Sequence, residues 1–332
     1  MSILLTGATG FLGNNLLRRL LDDGNQVRVL VRNPKALGVE SDKLTIIQGD
    51  LRDAEAVEKA VDGAEQIFHV AAVVKDWVKD WSIFQRVNVD AWETLLKIAQ
   101  RAGVERIVHT SSFFALGQTD EATVADESLR HEPNHFHNPY EQTKYLASKI
   151  TADYVESGVP VISVIPGFIF GPGAMTEGNM IAKTLQDMGR GKFPGIPGDG
   201  EKQWTYSFAE DVVNGHILAM EKGHIGQSYI LGGENHTLNE FVEVAQKHLG
   251  RKIPKRHLPL GLLKFSAFFL EKIATATGKP PMLTRNTVAT LRHNWAYSSQ
   301  KAIDELGYTI TPFDEAILKT VTWLRESGHL PS

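Results

Sequence analysis

The chain has 332 residues, with 35 lysines and arginines against 39 aspartates and glutamates, and it contains no cysteine. That length supplies core for about two domains, and a net charge of −4 offers no field to gather nucleic-acid phosphates. Without thiols, a disulfide framework, a thiolate zinc site and a cysteine nucleophile are all excluded, and a cytoplasmic location is the simplest expectation.

The opening apolar run breaks at Thr6 and Gly7, too early for a signal peptide, and reads as a buried strand. Short Val/Ile/Leu runs then alternate with longer amphipathic stretches, the pattern of βαβ units around a parallel sheet buried on both faces. The expected strands cover residues 3–5, 26–31, 44–48, 66–70, 106–110 and 161–165, and the expected helices 13–23, 54–61, 89–102 and 140–157. Gly24 and Gly103 supply the stop signal for two of the helices. The fold class is therefore α/β, a doubly wound parallel sheet of Rossmann type. From Gly167 onward proline and glycine cluster, in GPG at 171–173 and FPGIPGDG from Phe193, and the helices lose regular spacing. Residues 1–166 are expected to form a dinucleotide-binding domain and 167–332 mostly a smaller, irregular substrate lobe, with a strand near 227–231 returning to the large sheet. The most membrane-like stretch, 258–270, is interrupted by Lys264 and is too short to span a bilayer. The segment PLGLLKFSAFFLEKIATATG from Pro259 is expected to be a core helix or a pocket lid, an amphipathic membrane-touching face being the alternative.

Chemistry begins at the first turn. TGATGFLG places Gly7, Gly10 and Gly13 between a strand and a helix, where backbone can approach a pyrophosphate and the helix N-terminus can face it. The spacing is GxxGxxG, one residue longer in its first gap than the usual fingerprint. At the end of the second strand an NAD binder places an acid for the ribose 2′-hydroxyl, whereas here stand Val31, Arg32 and Asn33. A guanidinium suits a 2′-phosphate by charge and bidentate geometry, with Lys35 in support. NADPH is thus expected in preference to NADH, with NAD possible; the alternative for Arg32 is a solvated side chain stacked on adenine.

Ser111 and Ser112 close the fifth strand, and YEQTK sets Tyr140 and Lys144 four positions apart on one helix face. An unperturbed tyrosine is a poor proton donor or acceptor at neutral pH, and a neighbouring ammonium is expected to lower its pKa by stabilising phenolate.

With TGATGFLG, TSS and YEQTK in this order, nearly the whole chain resembles the extended short-chain dehydrogenase/reductase family, also called the NAD-dependent epimerase/dehydratase family. Further matching segments are GDL at 49–51, HVAA at 69–72, Asn88 in VNV, and IPGFIFGPG from Ile165. VRVLVRNP, FHVAA and YILGGENHTL most resemble the dihydroflavonol reductase, hydroxysteroid dehydrogenase-like and hopanoid-associated epimerase-like members. The resemblance implies a cofactor site of Thr6, Gly7, Thr9, Gly10, Phe11, Leu12, Gly13, Arg32, Lys35, Asp50, Leu51, Val70, Ala71, Ala72, Asn88, Ser111, Pro166, Gly167 and Ile169 together with Tyr140 and Lys144. It also implies that Ser112, or less readily Ser111, donates to the substrate oxygen, that Tyr140 exchanges the proton, and that Lys144 holds the nicotinamide ribose while depressing the tyrosine pKa. Strand-end capping by the serines and helix N-capping by Asn88 are the structural alternatives, and His69, inside an apolar strand, is read as a core histidine.

The departures speak to substrate. Sugar-nucleotide members carry an arginine soon after a GDG turn, where this chain has Trp204, Thr205 and Tyr206; their second arginine, in an RxGD stretch, is replaced by LRHNWAYSS around Arg292. A buried diphosphate would then lack compensation. Val74, Trp77, Trp81, Phe113, Phe114, Phe168, Trp204 and Tyr206 are expected instead to wall a pocket for an apolar carbonyl compound, ordinary core packing being the alternative for each. The expectation is an NADPH-dependent ketone or aldehyde reductase with no metal, with a sugar-directed epimerase or dehydratase and a non-catalytic dinucleotide sensor as alternatives. By analogy with the family, the helices 89–102 and 140–157 are expected to pack into a homodimer.

Overall fold

The structure, a computed structural model, describes residues 2–120 and 123–331. Six strands follow one another with helices between: β1 (Ser2–Thr6), α1 (Phe11–Asp22), β2 (Gln26–Val31), β3 (Leu44–Gln48), α2 (Ala54–Val61), β4 (Gln66–His69), α3 (Ser82–Gln85), α4 (Ala91–Ala102), β5 (Arg106–Thr110), α5 (Pro139–Glu156) and β6 (Val161–Pro166). The remaining elements are β7 (Phe168–Phe170), α6 (Met180–Gly189), β8 (Ile196–Pro197), β9 (Gln203–Phe208), α7 (Ala209–Lys222), β10 (Ser228–Leu231), β11 (Asn235–Thr237), α8 (Leu238–Leu249), β12 (His257–Leu258), α9 (Leu260–Thr277), α10 (Arg285–Thr290), α11 (Gln300–Leu306) and α12 (Phe313–Glu326).

The large sheet has seven strands in the order β10-β6-β5-β4-β1-β2-β3, all parallel. Central strands are apolar on both faces because helices cover both: β1, β4 and β5 bury all but their first residue, whereas the edge strand β3 leaves Ile46 exposed. Strand order reverses between β1 and β4, which opens a crevice at their carboxyl ends. The chain after β6 is shared between two places. β10 pairs with β6, and α7 and α11 pack on the large sheet, while α6, α8 and α12 surround a small sheet of β11-β9-β7.

Two local expectations need correction. Asn88 does not begin a helix: α3 runs through one π-helical turn, Arg86–Asp90, directly into α4, and Asn88 lies inside that widened turn. The segment from Pro259 is not a core helix, because α9 buries only Ala267 and Ala274 and turns its large side chains outward.

Candidate active site

The turn after β1 is tight. Gly7 has φ +80°, a conformation that disfavours any side chain, and a Cβ there would stand 2.6 Å from the Ala71 nitrogen. A Cβ on Gly13 would meet the Gly7 carbonyl oxygen at 2.2 Å, so this glycine lets α1 start against its own turn. Gly10 caps α1 without a side chain, and the first turn carries no acid, leaving the leading N–H groups of the helix for an anion. Gly7, Thr9, Gly10, Phe11, Leu12 and Gly13 line one part of a cleft of about 620 Å³. This uncapped, glycine-lined helix start fits the pyrophosphate of a dinucleotide.

The same cleft is lined by Arg32, Asp50 and Leu51 at the ends of β2 and β3, by Val70, Ala71 and Ala72 after β4, and by Ser111, Pro166, Gly167 and Ile169. Arg32 is exposed, and among the described residues its guanidinium has no ion-pair partner. Asp50 is held by Arg52 at 2.7 Å, and that hydrogen-bonded guanidinium keeps its carboxyl down at about 2. Three residues expected at the cofactor do not line the cleft. Thr6 lies beneath it, with Oγ1 on His69 Nδ1 at 2.9 Å. Lys35 is exposed and away from the cleft, because a short 3₁₀ turn capped by Asn33 carries it outward. Asn88 holds the wall instead: its Oδ1 accepts from the Val73 N–H at 2.7 Å, and its Nδ2 donates to Val73 O at 3.2 Å and Thr143 Oγ1 at 3.1 Å.

Tyr140 stands in the first turn of α5, which Asn138 caps by accepting from the Glu141 N–H at 2.8 Å. Lys144, one turn on, donates from Nζ to the Thr110 carbonyl at 2.9 Å and lies 5.9 Å from the Tyr140 ring centroid. The Tyr140 hydroxyl bonds with Ser112, whose Oγ also accepts from the Phe114 N–H at 3.3 Å, so Ser112 caps the turn and faces the cleft. Burial pushes the Tyr140 hydroxyl up to about 12, the Ser112 hydrogen bond opposing only in part, and burial also draws the Lys144 ammonium down to about 8. The expectation that Lys144 would depress the tyrosine is not met: desolvation raises it, only the Ser112 hydrogen bond opposes, and the ammonium's proton is directed at the Thr110 carbonyl.

Behind the cleft, Glu141 ties the long 112–138 connection to α5 by bonding His131 Nε2 at 2.8 Å and the His137 N–H at 2.8 Å. Trp92 is stacked between His69 and His109, with centroids at 4.5 and 4.3 Å, and burial lowers His69 to about 3, so it is a neutral core residue.

At the far end Phe168 stacks on Trp204 at 4.3 Å, Phe113 lies 4.9 Å from Phe168, and Phe114 meets Tyr140 edge-on at 5.6 Å. These four aromatics, Val74 and Trp81 line the cleft. Trp77 does not. Tyr206, two residues beyond Trp204 and so on the same face of β9, does not line the cleft: it packs in the small-lobe core against Phe313 at 4.9 Å and Phe241 at 5.6 Å. Sequence reasoning missed Asp76, Glu177 and the α10 residues Asn286, Thr287 and Thr290, which also line the cleft. They come from separate segments with no motif to mark them. Lys75 is paired with Glu177 at 3.4 Å, and burial raises the Asp76 carboxyl, with a Thr287 hydrogen bond opposing.

A nucleotide-cradling turn opposite a serine, a tyrosine and a lysine defines an enzyme that moves hydride at a C–O carbon with a bound dinucleotide. The family model described as "NAD dependent epimerase/dehydratase family" matches residues 3–232, and the chain belongs to that family, within the extended short-chain dehydrogenase/reductases. It is 31% identical to the "Putative dihydroflavonol 4-reductase" of Synechocystis sp., over 98% of this chain and 95% of that protein. It is 30% identical to "Sterol demethylase protein B" of Methylococcus capsulatus, over 99% of this chain and 100% of that one. The crystal structure of gox2253, 31% identical, superposes with a TM-score of 0.82 over 99% of each chain.

Proposed function

We propose that this protein is an NADPH-preferring reductase of a ketone or aldehyde with an apolar body. The observation that carries this reading is the aromatic end of the cleft: Phe168 on Trp204 with Phe113 and Phe114 beside them, and no arginine among the described residues that line it except Arg32 at the opposite end. A diphosphate there would meet Asp76 and a lysine already paired with Glu177, whereas a ring or alkyl ketone would be buried at a gain of about 25 cal/mol per Å². The relatives named for a dihydroflavonol and a sterol support the same reading. The free guanidinium of Arg32 supports the preference for a 2′-phosphate.

When bound, NADPH supplies the hydride that the carbonyl carbon accepts. Tyr140, protonated at neutral pH because its pKa is near 12, gives its proton to the carbonyl oxygen. Ser112 donates a second hydrogen bond to that oxygen and so stabilises the charge that develops on it. The ammonium of Lys144, held at the Thr110 carbonyl, compensates the phenolate until a proton from solvent restores the tyrosine. The balance is one hydride and one proton added to each carbonyl.

The test is NADPH oxidation by the purified protein against a panel of alkyl, aromatic and steroid-like ketones and aldehydes. Turnover on apolar carbonyls, with none on nucleotide sugars, is the expected result. Protein that retains NAD through purification and interconverts nucleotide sugars without net oxidation would overturn the proposal in favour of an epimerase.

A further inference from the structure

Helix α9 is built inside out. A surface helix ordinarily turns its large apolar side chains toward the protein, but here the inward positions are the small Ala267 and Ala274, and the helix rests on α10. Leu262, Phe265, Phe269 and Ile273 fall on one stripe of the opposite face and are 55%, 63%, 49% and 58% exposed. Phe268 lies beside the stripe, with Met282 just beyond the helix, 98% exposed. Isolated exposed hydrophobics are ordinary, but a contiguous ridge of this kind marks a binding surface.

Charge identifies the occupant. Residues 251–292 contain nine lysines and arginines and one carboxylate, Glu271, a net of +8 in a chain whose total is −4, which leaves −12 for the rest. Glu271 is taken by Arg285 at 2.7 Å, and Glu243, from α8, takes Lys255 at 2.7 Å. Lys252, Arg256, Lys264, Lys272, Lys279 and Arg292 are exposed and form no ion pair among the described residues. A second copy docked by two-fold symmetry would set +8 against +8. An anionic lipid surface offers apolar depth for the ridge and negative headgroups for its flanks.

We propose that the protein docks peripherally on anionic membranes through the α9 ridge and the basic segment around it. Among the described residues no helix is long and apolar enough to cross a bilayer, so the contact is with the surface. The position also serves the cleft, if its substrate is the apolar carbonyl proposed above. Asn286, Thr287 and Thr290 of α10 line the cleft, and Arg285 of the same helix binds α9 through Glu271, so the docked face adjoins one wall of the site.

The experiment is co-sedimentation of the full chain with phosphatidylcholine vesicles, with and without roughly 30 mol% phosphatidylglycerol. The reading depends on binding alone and not on turnover, so it fails or stands separately from the reductase assignment. Expected are binding to the anionic vesicles, loss of most of it in high salt, and a drop of roughly tenfold or more in the Phe265→Ser/Phe269→Ser/Ile273→Ser variant with NADPH affinity unchanged. The substitutions remove exposed side chains only, so the fold is retained. Absence of binding to either vesicle at low salt, equal binding to both, or undiminished binding by the variant would overturn the proposal. So would a dimer in sedimentation velocity that the variant converts to monomer, which would make a second copy the occupant.

Discussion

Lys144 Nζ donates to the carbonyl of Thr110 at 2.9 Å, and this one bond joins the helix bearing Tyr140 to the end of the strand bearing Ser111 and Ser112. Tyr140 and Ser112, which bond to each other directly, are thereby also held together through the end of β5. The bond also leaves the ammonium buried, which sets its acidity.

Tyr140→Phe removes the hydroxyl proposed to give the proton and leaves the glycine-lined turn intact. Turnover on an apolar ketone should fall by roughly 10²–10⁴-fold, while NADPH affinity, followed by fluorescence titration, should change little. Unchanged turnover would show that another group supplies the proton.

Stability should carry the signature of the buried lysine. Lys144 has its folded pKa drawn from 10.5 to about 8, so below that value the folded state bears the cost of a desolvated ammonium. Between about 8 and 10.5 the unfolded chain binds a proton that the folded chain has released, and stability rises with pH by at most about 3 kcal/mol. Tyr140 acts in the opposite sense, since its contribution is present below 10.0 and lost as the pH climbs through about 12. Urea midpoints across this range should show the rise in the parent and a flatter profile in Lys144→Met; parallel profiles would contradict the assignment.

Arg32→Asp should weaken NADPH binding at least tenfold, because a charge-assisted hydrogen bond to the 2′-phosphate is worth roughly 1.5–3 kcal/mol. NADH, which lacks that phosphate, should bind almost as before. Equal losses for the two nucleotides would return Arg32 to a non-selective role.

Asn88→Ala deletes the amide that holds both polar groups of Val73 and the hydroxyl of Thr143. Leaving these partners unsatisfied should cost about 1–3 kcal/mol in urea unfolding. Because residues 70–72 form the cleft wall beside that clip, dinucleotide affinity should fall as well. A change in neither quantity would mean that the wall is held by other contacts.

Trp204→Ala removes the ring that stacks on Phe168. The KM for bulky apolar ketones should rise roughly tenfold, the worth of one aromatic contact of about 1.5 kcal/mol, with NADPH affinity retained. An unaffected KM would move the substrate away from the aromatic wall.

The elements that the sequence placed well are those whose information is local. The strands 26–31, 44–48 and 106–110 and the helix 54–61 stand where the apolar periods put them. Asn88 was misplaced because its neighbours form a good helix whether or not a π turn is present, and its amide partner, Val73, lies fifteen residues away where no local pattern marks it. Tyr206 was misplaced because it shares a face of β9 with the cleft-lining Trp204, and only the packing of Phe241 and Phe313 against it takes it out of the cleft.

By itself, then, the sequence determined the doubly wound sheet, the glycine turn and the tyrosine, lysine and serine of the site, since periodicity, chirality and motif spacing act over a few residues. Tertiary structure decided which groups line the cleft from distant segments, why burial rather than Lys144 governs the acidity of Tyr140, and that α9 faces outward. Each of those depends on what the rest of the chain excludes from water, and desolvation is a property of the assembled molecule.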